Sequence, residues 1–258
     1  MTAFRSYLYA AYMVATTVLL AAVLWPTLLM RQRDALFAIR LWARTMLGGL
    51  KAICGLGWRT LGAERRPTGA ALIASNHQSQ WETIALCIAV PRPAFVLKSE
   101  LMRVPIIGWW AARAGMIPIE RDGGAASLRG LISVAKRRLA EGRQIIIFPE
   151  GTRTAPGQTT DYKPGAAALY SLLKIACTPV AHDSGRYWRH PGFRREPGDI
   201  RLSFLPEIAP GLRRPAFEDA LRHAIRQESA NLSPAAAGPV GAHAAEAPLS
   251  APTPPQAP

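Results

Sequence analysis

The sequence predicts an α/β fold in which a sheet is flanked by helices. From residue 57 onward, short apolar runs of strand length alternate with longer helical patterns, as in proteins built from βα units. Charged and polar residues follow directly after several of these runs, where open sheets tend to bind ligands. Apolar residues make up 49% of the 258-residue chain, so we expect one sizeable core rather than two full domains.

Six apolar runs are the predicted strands of this domain. The four clearer ones span 71–74, 94–97, 115–119 and 144–148, and two weaker ones span 178–181 and 200–205. Helical patterns lie near 82–90, 124–141, 165–175 and 215–228, so the domain is predicted to cover residues 57–228. The remaining segment, 229–258, contains ten alanines, seven prolines and one formally charged residue, Glu246. Such a composition cannot bury a core and predicts a disordered tail.

The charge of the chain indicates an anionic partner. Lys and Arg number 31 against 17 Asp and Glu, a net charge of +14. This excess favours either nucleic acid or an anionic membrane surface. The cysteines at 54, 87 and 177 are too scattered for a disulfide framework or a zinc cluster. We therefore expect reduced thiols and no metal site.

The N-terminal segment separates the two anionic partners. Residues 8–30 contain no charged side chain and form about 34 Å of helix at 1.5 Å per residue. A signal peptide is the alternative, but only Arg5 supplies a basic flank and no small-x-small site precedes Arg31. We predict a membrane anchor in which Pro26 introduces a kink. Nucleic acid is not expected, because its binders seldom begin with such a run.

Residues 33–56 predict a second helix with a basic stripe, so that residues 1–56 form the membrane-associated part of the chain. Arg33, Arg40, Arg44 and Lys51 fall within about 40° of one another at 100° per residue. A thin cationic stripe beside a broad apolar side suits the headgroup boundary of an anionic leaflet. The alternative is a helix packed on the main domain with its arginines in water. The arginines that follow the apolar run, at 31, 33, 40 and 44, also predict that the domain lies on the cytoplasmic face of the inner or cell membrane.

The segment from Ser75 to Glu82 joins a predicted buried strand to a helix, so His77 and Glu82 come from one turn. A neutral imidazole accepts a proton near neutral pH, and a carboxylate on its other nitrogen fixes the tautomer. This is the base-and-orienter half of a triad, which needs no serine or cysteine when the substrate supplies a hydroxyl. The spacing alone also fits a capping or structural histidine.

A second segment, Phe148-Pro149-Glu150-Gly151-Thr152-Arg153, again follows a strand. Gly151 permits a tight backbone approach, and Arg153 offers a bidentate fork to phosphate. Glu150 is expected to hold Arg153 in place, and Thr152 to cap the turn or bond a ligand oxygen. Each of these side chains is alternatively an ordinary surface group, so it is their shared position after a strand that indicates a site.

Two further cations, Lys98 and Arg121, also follow predicted strands. The carboxyl ends of parallel strands meet at one edge of a sheet, so these cations are expected near Arg153 and the histidine. An anionic substrate with a reacting hydroxyl needs cations several Å from the base. Arg121 alternatively forms an ion pair with Glu120 or Asp122.

These blocks resemble, in order, the motifs of the 1-acyl-sn-glycerol-3-phosphate acyltransferase family. His77 with Glu82 resembles the first motif, residues 115–121 the second, residues 148–153 the third and residues 178–181 the fourth. The resemblance covers residues 57–227, and the basic, apolar N-terminus is similar to the family's membrane-docking portion. One position departs from the pattern, since the acidic residue of the first motif is usually aspartate and here is Glu82.

The resemblance implies a glycerolipid acyltransferase-type domain and a specific reaction. His77 would deprotonate the 2-hydroxyl of lysophosphatidate, which attacks an acyl thioester of coenzyme A or acyl-carrier protein without an acyl-enzyme. Glu82 would orient His77, and neither a cofactor nor a metal is required. The implied substrate-binding residues are Lys98, Arg121, Glu150, Gly151, Thr152, Arg153 and Pro179, the last lining the acyl or acceptor pocket.

Three other functions fit parts of the pattern. An acyltransferase for another lysolipid, such as lyso-ornithine lipid, would keep the same base and change only the acceptor. A lipase or thioesterase would need an activated nucleophile, and no G-x-S-x-G motif is present. A non-catalytic membrane protein would bind anionic lipid through its basic face alone. The joint presence of the base, its carboxylate and the third motif argues against this last alternative.

Overall fold

A computed structural model describes residues 1–120, 123–158 and 160–232 of the chain, and it confirms the α/β fold. Within this part the strands are β1 Leu56–Leu61, β2 Ala71–Ser75, β3 Pro93–Lys98, β4 Ile117–Ile119, β5 Gln144–Ile147, β6 Cys177–His182 and β7 Gly198–Phe204. The helices are α1 Thr2–Leu24, α2 Gln32–Cys54, α3 Trp81–Ala89, α4 Ile107–Arg113, α5 Gly124–Ala140, α6 Pro164–Leu173, α7 Ser184–Tyr187 and α8 Arg214–Asn231. Arg121 and nearly all of the predicted tail lie outside the described residues.

The seven strands form one sheet in the order β1-β7-β6-β2-β5-β3-β4. Strands β6, β2, β5, β3 and β4 are parallel to one another. Strand β7 pairs antiparallel with β6, and the edge strand β1 pairs parallel with β7. The carboxyl ends of β2, β3, β4, β5 and β6 therefore meet at one edge of the sheet, here called the carboxyl edge. This edge carries the segments that contain His77, Lys98 and Glu150, as open α/β sheets favour, whereas the predicted segment 178–181 lies within β6.

Helices cover both faces of the sheet, and each layer has its own apolar core. On one face α2, α3 and α4 bury side chains such as Leu50, Trp81 and Trp110. On the other face α5, α6 and α8 bury Leu131, Tyr170 and Phe217 among others. Because both faces are covered, the central strands are apolar runs without alternation, which is why the sequence identified them readily.

The sequence did not predict β1 and α4. In β1, Gly57 leaves room for the next strand, since a Cβ there would lie 2.4 Å from Asp199 Oδ1. An edge strand that has glycine as its second residue and continues through Arg59 and Thr60 lacks an apolar run, so local pattern could not reveal it. Helix α4 has only seven residues, and the strand predicted from 115 begins at Ile117 because Gly115 adopts a left-handed turn conformation, with φ +71°.

The N-terminal segment is a helical hairpin packed on the domain. Helix α1 ends at Leu24, just before Pro26, and a 3-10 turn over Trp25–Leu28 leads towards α2. Tyr12 donates a hydrogen bond to the Thr45 carbonyl at 3.0 Å. Residues Thr2–Leu28 form a stretch of 27 residues that contains an 18-residue window with a mean hydropathy of 1.9, long and apolar enough to cross a membrane.

Helix α2 confirms the predicted helix but not the predicted exposure of its apolar side. Most of that side is buried against α1, α3 and the sheet, including Met46, Leu47 and Leu50. Arg40, assigned to a headgroup-facing stripe, instead donates to the carbonyls of Cys87 at 3.3 Å and Val90 at 2.8 Å, at the end of α3. The expectation failed because helical periodicity shows that a face is apolar but not whether protein or lipid covers it.

The end of the domain lies slightly beyond its predicted boundary at residue 228. Helix α8 continues through Asn231, and Leu232 is buried in the core on that face. The predicted tail from 229 therefore begins with residues that still belong to the helix. Alanine-rich sequence is compatible with helix, so composition alone could not place this boundary.

Candidate active site

The turn between β2 and α3 positions a histidine and a carboxylate in direct contact. β2 is buried along its whole length and ends at Ser75, and α3 begins at Trp81. His77 Nδ1 lies 2.8 Å from Glu82 Oε1, so the predicted pair forms. Glutamate in place of the usual aspartate therefore still reaches the imidazole.

Glu82 is completely buried and fully hydrogen bonded. Its Oε1 accepts from the backbone N–H groups of Gln78 and Ser79, both at 2.8 Å, in addition to the histidine. Its Oε2 accepts from the hydroxyls of Ser79 at 2.7 Å and Ser184 at 2.9 Å. Burial alone would raise the pKa of Glu82, but the nearby histidines and these hydrogen bonds lower it to about 2. The carboxylate is therefore ionised at neutral pH.

An ionised Glu82 fixes the proton positions of His77. A carboxylate only accepts hydrogen bonds, so Nδ1 must be the protonated nitrogen and Nε2 retains its lone pair. The imidazole stacks on the ring of Phe148, with centroids 4.3 Å apart, and its side chain is 16% exposed. The ring is thus held by Glu82 at Nδ1 and by Phe148 on one face. The arrangement is that of a general base.

His182 and Asn76 form a second buried contact that sequence reasoning missed. His182 Nε2 lies 2.8 Å from the Asn76 carbonyl oxygen, and the Asn76 side chain bonds both the backbone N–H and the carbonyl of His182. Since a carbonyl only accepts, His182 Nε2 donates. Burial lowers the pKa of His182 and favours this neutral form. These bonds join the ends of β2 and β6, and no local signal in the sequence marks the pairing.

The third motif wraps around His77. The Thr154 N–H donates to the His77 carbonyl at 2.7 Å, and the His77 N–H donates to Glu150 Oε1 at 3.3 Å. The turn depends on Gly151, whose φ is +68° and whose Cβ would lie 2.9 Å from the Lys163 side chain. His77 and Glu150, which are 73 positions apart in the sequence, are thereby fixed beside each other.

Glu150 does not hold Arg153, contrary to expectation. One of its oxygens binds the His77 backbone, and among the described residues no carboxylate forms an ion pair with Arg153. Burial is the main cause that raises the pKa of Glu150. Thr152 and Arg153 are both exposed, in the turn whose Glu150 is bonded to the His77 backbone.

His190 lies in the segment after α7, and the sequence did not indicate a role for it. Its partial burial and then the charges of Arg153 and His77 lower its pKa, so the three groups interact electrostatically. The segment that carries His190 begins at α7, where the Gly185 N–H donates to Gln78 Oε1 at 3.1 Å. The loop after β6 thus closes one side of the site.

The remaining predicted residues occupy different positions. Lys98 ends β3 at the carboxyl edge and forms an ion pair of 2.9 Å with Glu100 in which both side chains are about half exposed. Such an exposed pair is weak and leaves the ammonium able to exchange partners. Pro179 is buried within β6 beside Ala74, and its carbonyl accepts from the Leu205 N–H. Arg121 lies outside the described residues.

Comparison with known proteins supports the assignment that the motifs suggested. A family model described as Acyltransferase matches residues 59–183. The 1-acyl-sn-glycerol-3-phosphate acyltransferase of Pseudomonas aeruginosa is 33% identical over 172 residues, which cover 67% of each chain. The protein of the same name from Helicobacter pylori is 29% identical over 164 residues, 62% of this chain and 69% of that one.

A solved structure agrees at the level of the fold. The crystal structure of the 1-acyl-sn-glycerophosphate (LPA) acyltransferase PlsC from Thermotoga maritima has a TM-score of 0.74 to this chain. The match covers 90% of this chain and 98% of that one at 20% sequence identity. The structural match thus agrees with the fold, and the sequence relatives show that this chain belongs to the 1-acyl-sn-glycerol-3-phosphate acyltransferase family and is an O-acyltransferase.

Proposed function

We propose that this protein transfers an acyl chain from a thioester donor to the 2-hydroxyl of 1-acyl-sn-glycerol-3-phosphate, giving phosphatidate for phospholipid synthesis. The observation that carries the proposal is an oriented imidazole, His77, whose backbone is bonded to the residues that flank the exposed Arg153 segment, Glu150 and Thr154. An acceptor with a phosphate near its reacting hydroxyl satisfies both groups at once. The activity named for the sequence relatives is the same one.

The chemistry follows from the protonation state of the pair. His77 Nε2 takes the proton of the acceptor hydroxyl as the oxygen attacks the thioester carbonyl, and Glu82 stabilises the imidazolium that forms. Collapse of the tetrahedral intermediate breaks the carbon–sulfur bond, and the departing thiolate receives the proton from His77. The products are the ester and the free thiol of coenzyme A or acyl-carrier protein.

The hydroxyls beside the base favour direct transfer over hydrolysis through an acyl-enzyme. Ser79 and Ser184 are both buried and both donate to Glu82, on the side of the carboxylate opposite His77. A serine nucleophile must instead donate to the base and face the substrate. The acceptor hydroxyl is therefore the proposed nucleophile.

Membrane association is part of the proposal. The outer side of α1 exposes apolar side chains, including Phe4, Val14, Val18 and Leu19, and residues Thr2–Leu28 are long enough to cross a bilayer. Arg31, Arg33 and Arg44 follow at exposed positions and favour a cytoplasmic domain at an anionic leaflet. Such a location supplies a lipid acceptor directly to the carboxyl edge.

An acceptor panel tests the proposed function. The purified protein in nanodiscs should form phosphatidate from lysophosphatidate with acyl-CoA or acyl-carrier protein as donor. Arg153→Ala should raise the KM for lysophosphatidate by about tenfold or more, because one charge-assisted contact contributes about 1.5–3 kcal/mol. Arg129→Ala, which removes an exposed arginine on α5, is the matched control and should leave KM unchanged. Transfer only to lyso-ornithine lipid, or release of free fatty acid without a diacyl product, would reject the proposal.

A further inference from the structure

The crossover between β3 and β4 leaves apolar side chains in solvent. Four of them form what we call the crossover patch: Leu101, Val104, Ile107 and Trp109, with exposed fractions of 41%, 38%, 54% and 56%. Single exposed apolar residues are ordinary, but four within nine residues, including a tryptophan, are not. A crossover of this kind normally turns its apolar side chains towards the sheet.

The crossover patch belongs to an ordered part of the fold. Gly108 lies against the backbone of Met102, where a Cβ would come within 2.2 Å of the carbonyl oxygen. Trp110 is buried, and its indole N–H donates to Thr27 Oγ1 at 3.0 Å. Ile106 has a φ of +66°, a conformation that β-branched residues rarely adopt. These contacts fix the segment so that Ile107 and Trp109 point away from the core.

The patch adjoins the exposed apolar surface of the N-terminal hairpin. A groove between α4 and the start of α2 is lined by Leu28, Gln32, Trp109, Ala112 and Arg113. On the hairpin side of this groove, Trp25, Leu29 and Met30 are 52–75% exposed. The apolar outer side of α1 and the crossover patch therefore meet at this groove, where Leu28 and Trp109 are its apolar lining and Gln32 and Arg113 its polar lining.

Cations border this surface. Arg31, Arg33, Arg103 and Arg113 are all exposed around the hairpin turn and α4. The acidic residues among the described positions nearby are already engaged, Asp34 with the Arg31 N–H at 2.9 Å and Glu100 with Lys98. Tryptophan with aliphatic neighbours and a rim of arginine is the composition that proteins place at the headgroup level of anionic membranes.

We propose that the crossover patch is a second membrane contact, through which the catalytic domain itself docks on an anionic bilayer beside α1. This inference rests on the proposed function only in taking the acceptor to be a membrane lipid. The segment begins directly after Lys98 at the carboxyl edge, so docking would hold the entrance of the active site against the lipid surface. An acidic carrier protein is the competing occupant, and the position of the patch beside the apolar α1 hairpin favours the membrane.

Depth-dependent fluorescence quenching tests the contact on the full chain. The native cysteines, Cys54, Cys87 and Cys177, are buried, so a new surface cysteine can be labelled selectively with an environment-sensitive dye. Trp109→Cys is the test position, and Val18→Cys on α1 reports insertion of the hairpin. Leu172→Cys is the matched control, since Leu172 is 65% exposed on α6, in the opposite helix layer.

In nanodiscs that contain phosphatidylglycerol and a spin-labelled lipid, the label at 109 should lose at least half of its emission, as the label at 18 does, and the label at 172 should lose almost none. A label at 109 that behaves like the one at 172, while the label at 18 is quenched, overturns the proposal. A response of the label at 109 to acyl-carrier protein in detergent, without quenching by lipid, assigns the patch to the carrier and also overturns it.

A kinetic comparison separates docking from stability. Trp109→Ala should lower turnover on vesicle-presented lysophosphatidate at least fivefold and leave turnover on a monomeric short-chain acceptor in solution unchanged. Leu172→Ala should change neither rate. Equal losses on both acceptors would mean that Trp109 is merely structural. The quenching experiment requires no turnover. A protein without acyltransferase activity would therefore contradict the proposed function, while quenching of its label at 109 would still support the membrane contact.

Discussion

Ser184 donates a hydrogen bond of 2.9 Å to Glu82 Oε2, although 102 residues separate them in the sequence. The same carboxylate holds His77, the proposed general base, through its other oxygen, so the start of α7 supports the orientation of His77 through Glu82. Ser79 adds a second hydroxyl from the turn itself. Catalytic geometry therefore depends on the packing of the loop after β6 against the loop after β2.

Ser184→Ala should reduce the turnover number several-fold without abolishing activity. The substitution removes one donor from a buried carboxylate, and Ser79 still satisfies the same oxygen, so the free energy of unfolding should fall by about 1 kcal/mol. Ser184→Thr keeps the hydroxyl and should recover most of the activity. Steady-state rates and thermal midpoints of both variants provide the measurement, and equal losses in the two would contradict a role for the hydroxyl.

Glu82→Gln should lower the turnover number by about 10²- to 10⁴-fold while the fold is retained. The amide has nearly the same shape, but it carries no charge to stabilise the imidazolium of His77. Glu82→Asp keeps the charge on a shorter side chain and should retain more activity than the glutamine variant. Rates of phosphatidate formation by the wild type, Glu82→Asp and Glu82→Gln should decrease in that order. An aspartate variant as inactive as the glutamine variant would show that the position of the carboxylate, not its charge, dominates.

The stability of the protein should depend on Glu82 in a defined pH window. Its pKa is about 2 in the folded protein against an ordinary value of 4.5, so the stabilisation is complete above pH 4.5 and is lost as the pH falls towards 2. The shift corresponds to about 3 kcal/mol. Thermal midpoints of the wild type should therefore decline more steeply from pH 5 to pH 3 than those of Glu82→Gln, and parallel curves would argue against the depressed pKa.

Gly151→Ala should impair the site more than its small size suggests. A Cβ would force a left-handed residue and approach the Lys163 side chain to 2.9 Å, so we expect a loss of about 1–2 kcal/mol in stability. The turn also supports the Thr154 bond to the His77 carbonyl, and activity should fall with it. Gly157→Ala is a useful comparison, because its φ is also positive but open space surrounds it. Only the first variant should lose activity beyond its loss of stability.

Arg195 should prove essential for docking α1 on the domain. It is 4% exposed, donates to the Ser6 carbonyl at 3.2 Å, and lies over the rings of Tyr9, Trp188 and Phe193 at 4.4–5.1 Å. Arg195→Met retains bulk but loses the hydrogen bonds and the cation–π contacts. Hydrogen exchange should speed up in the first turns of α1 and in residues 188–195, whereas unchanged protection in both would refute the assignment.

Local sequence was enough to predict the α/β fold, four clear strands and the pairing of His77 with Glu82. The strands are apolar without alternation because helices cover both faces, and the histidine and its carboxylate lie within one turn of chain. The turn in the third motif could also be predicted, since the glycine between Glu150 and Arg153 indicates a backbone conformation that few other residues adopt.

Tertiary structure alone decided what surrounds these elements. Periodicity showed that α2 has an apolar side, but only packing revealed that α1, α3 and the sheet cover most of it and that Arg40 binds carbonyls at the end of α3. The bonds of Ser184 to Glu82 and of His182 to Asn76 join segments more than a hundred residues apart. The physical reason is that a side chain's polarity and spacing are local properties, whereas its partner is chosen by the packing of the whole chain.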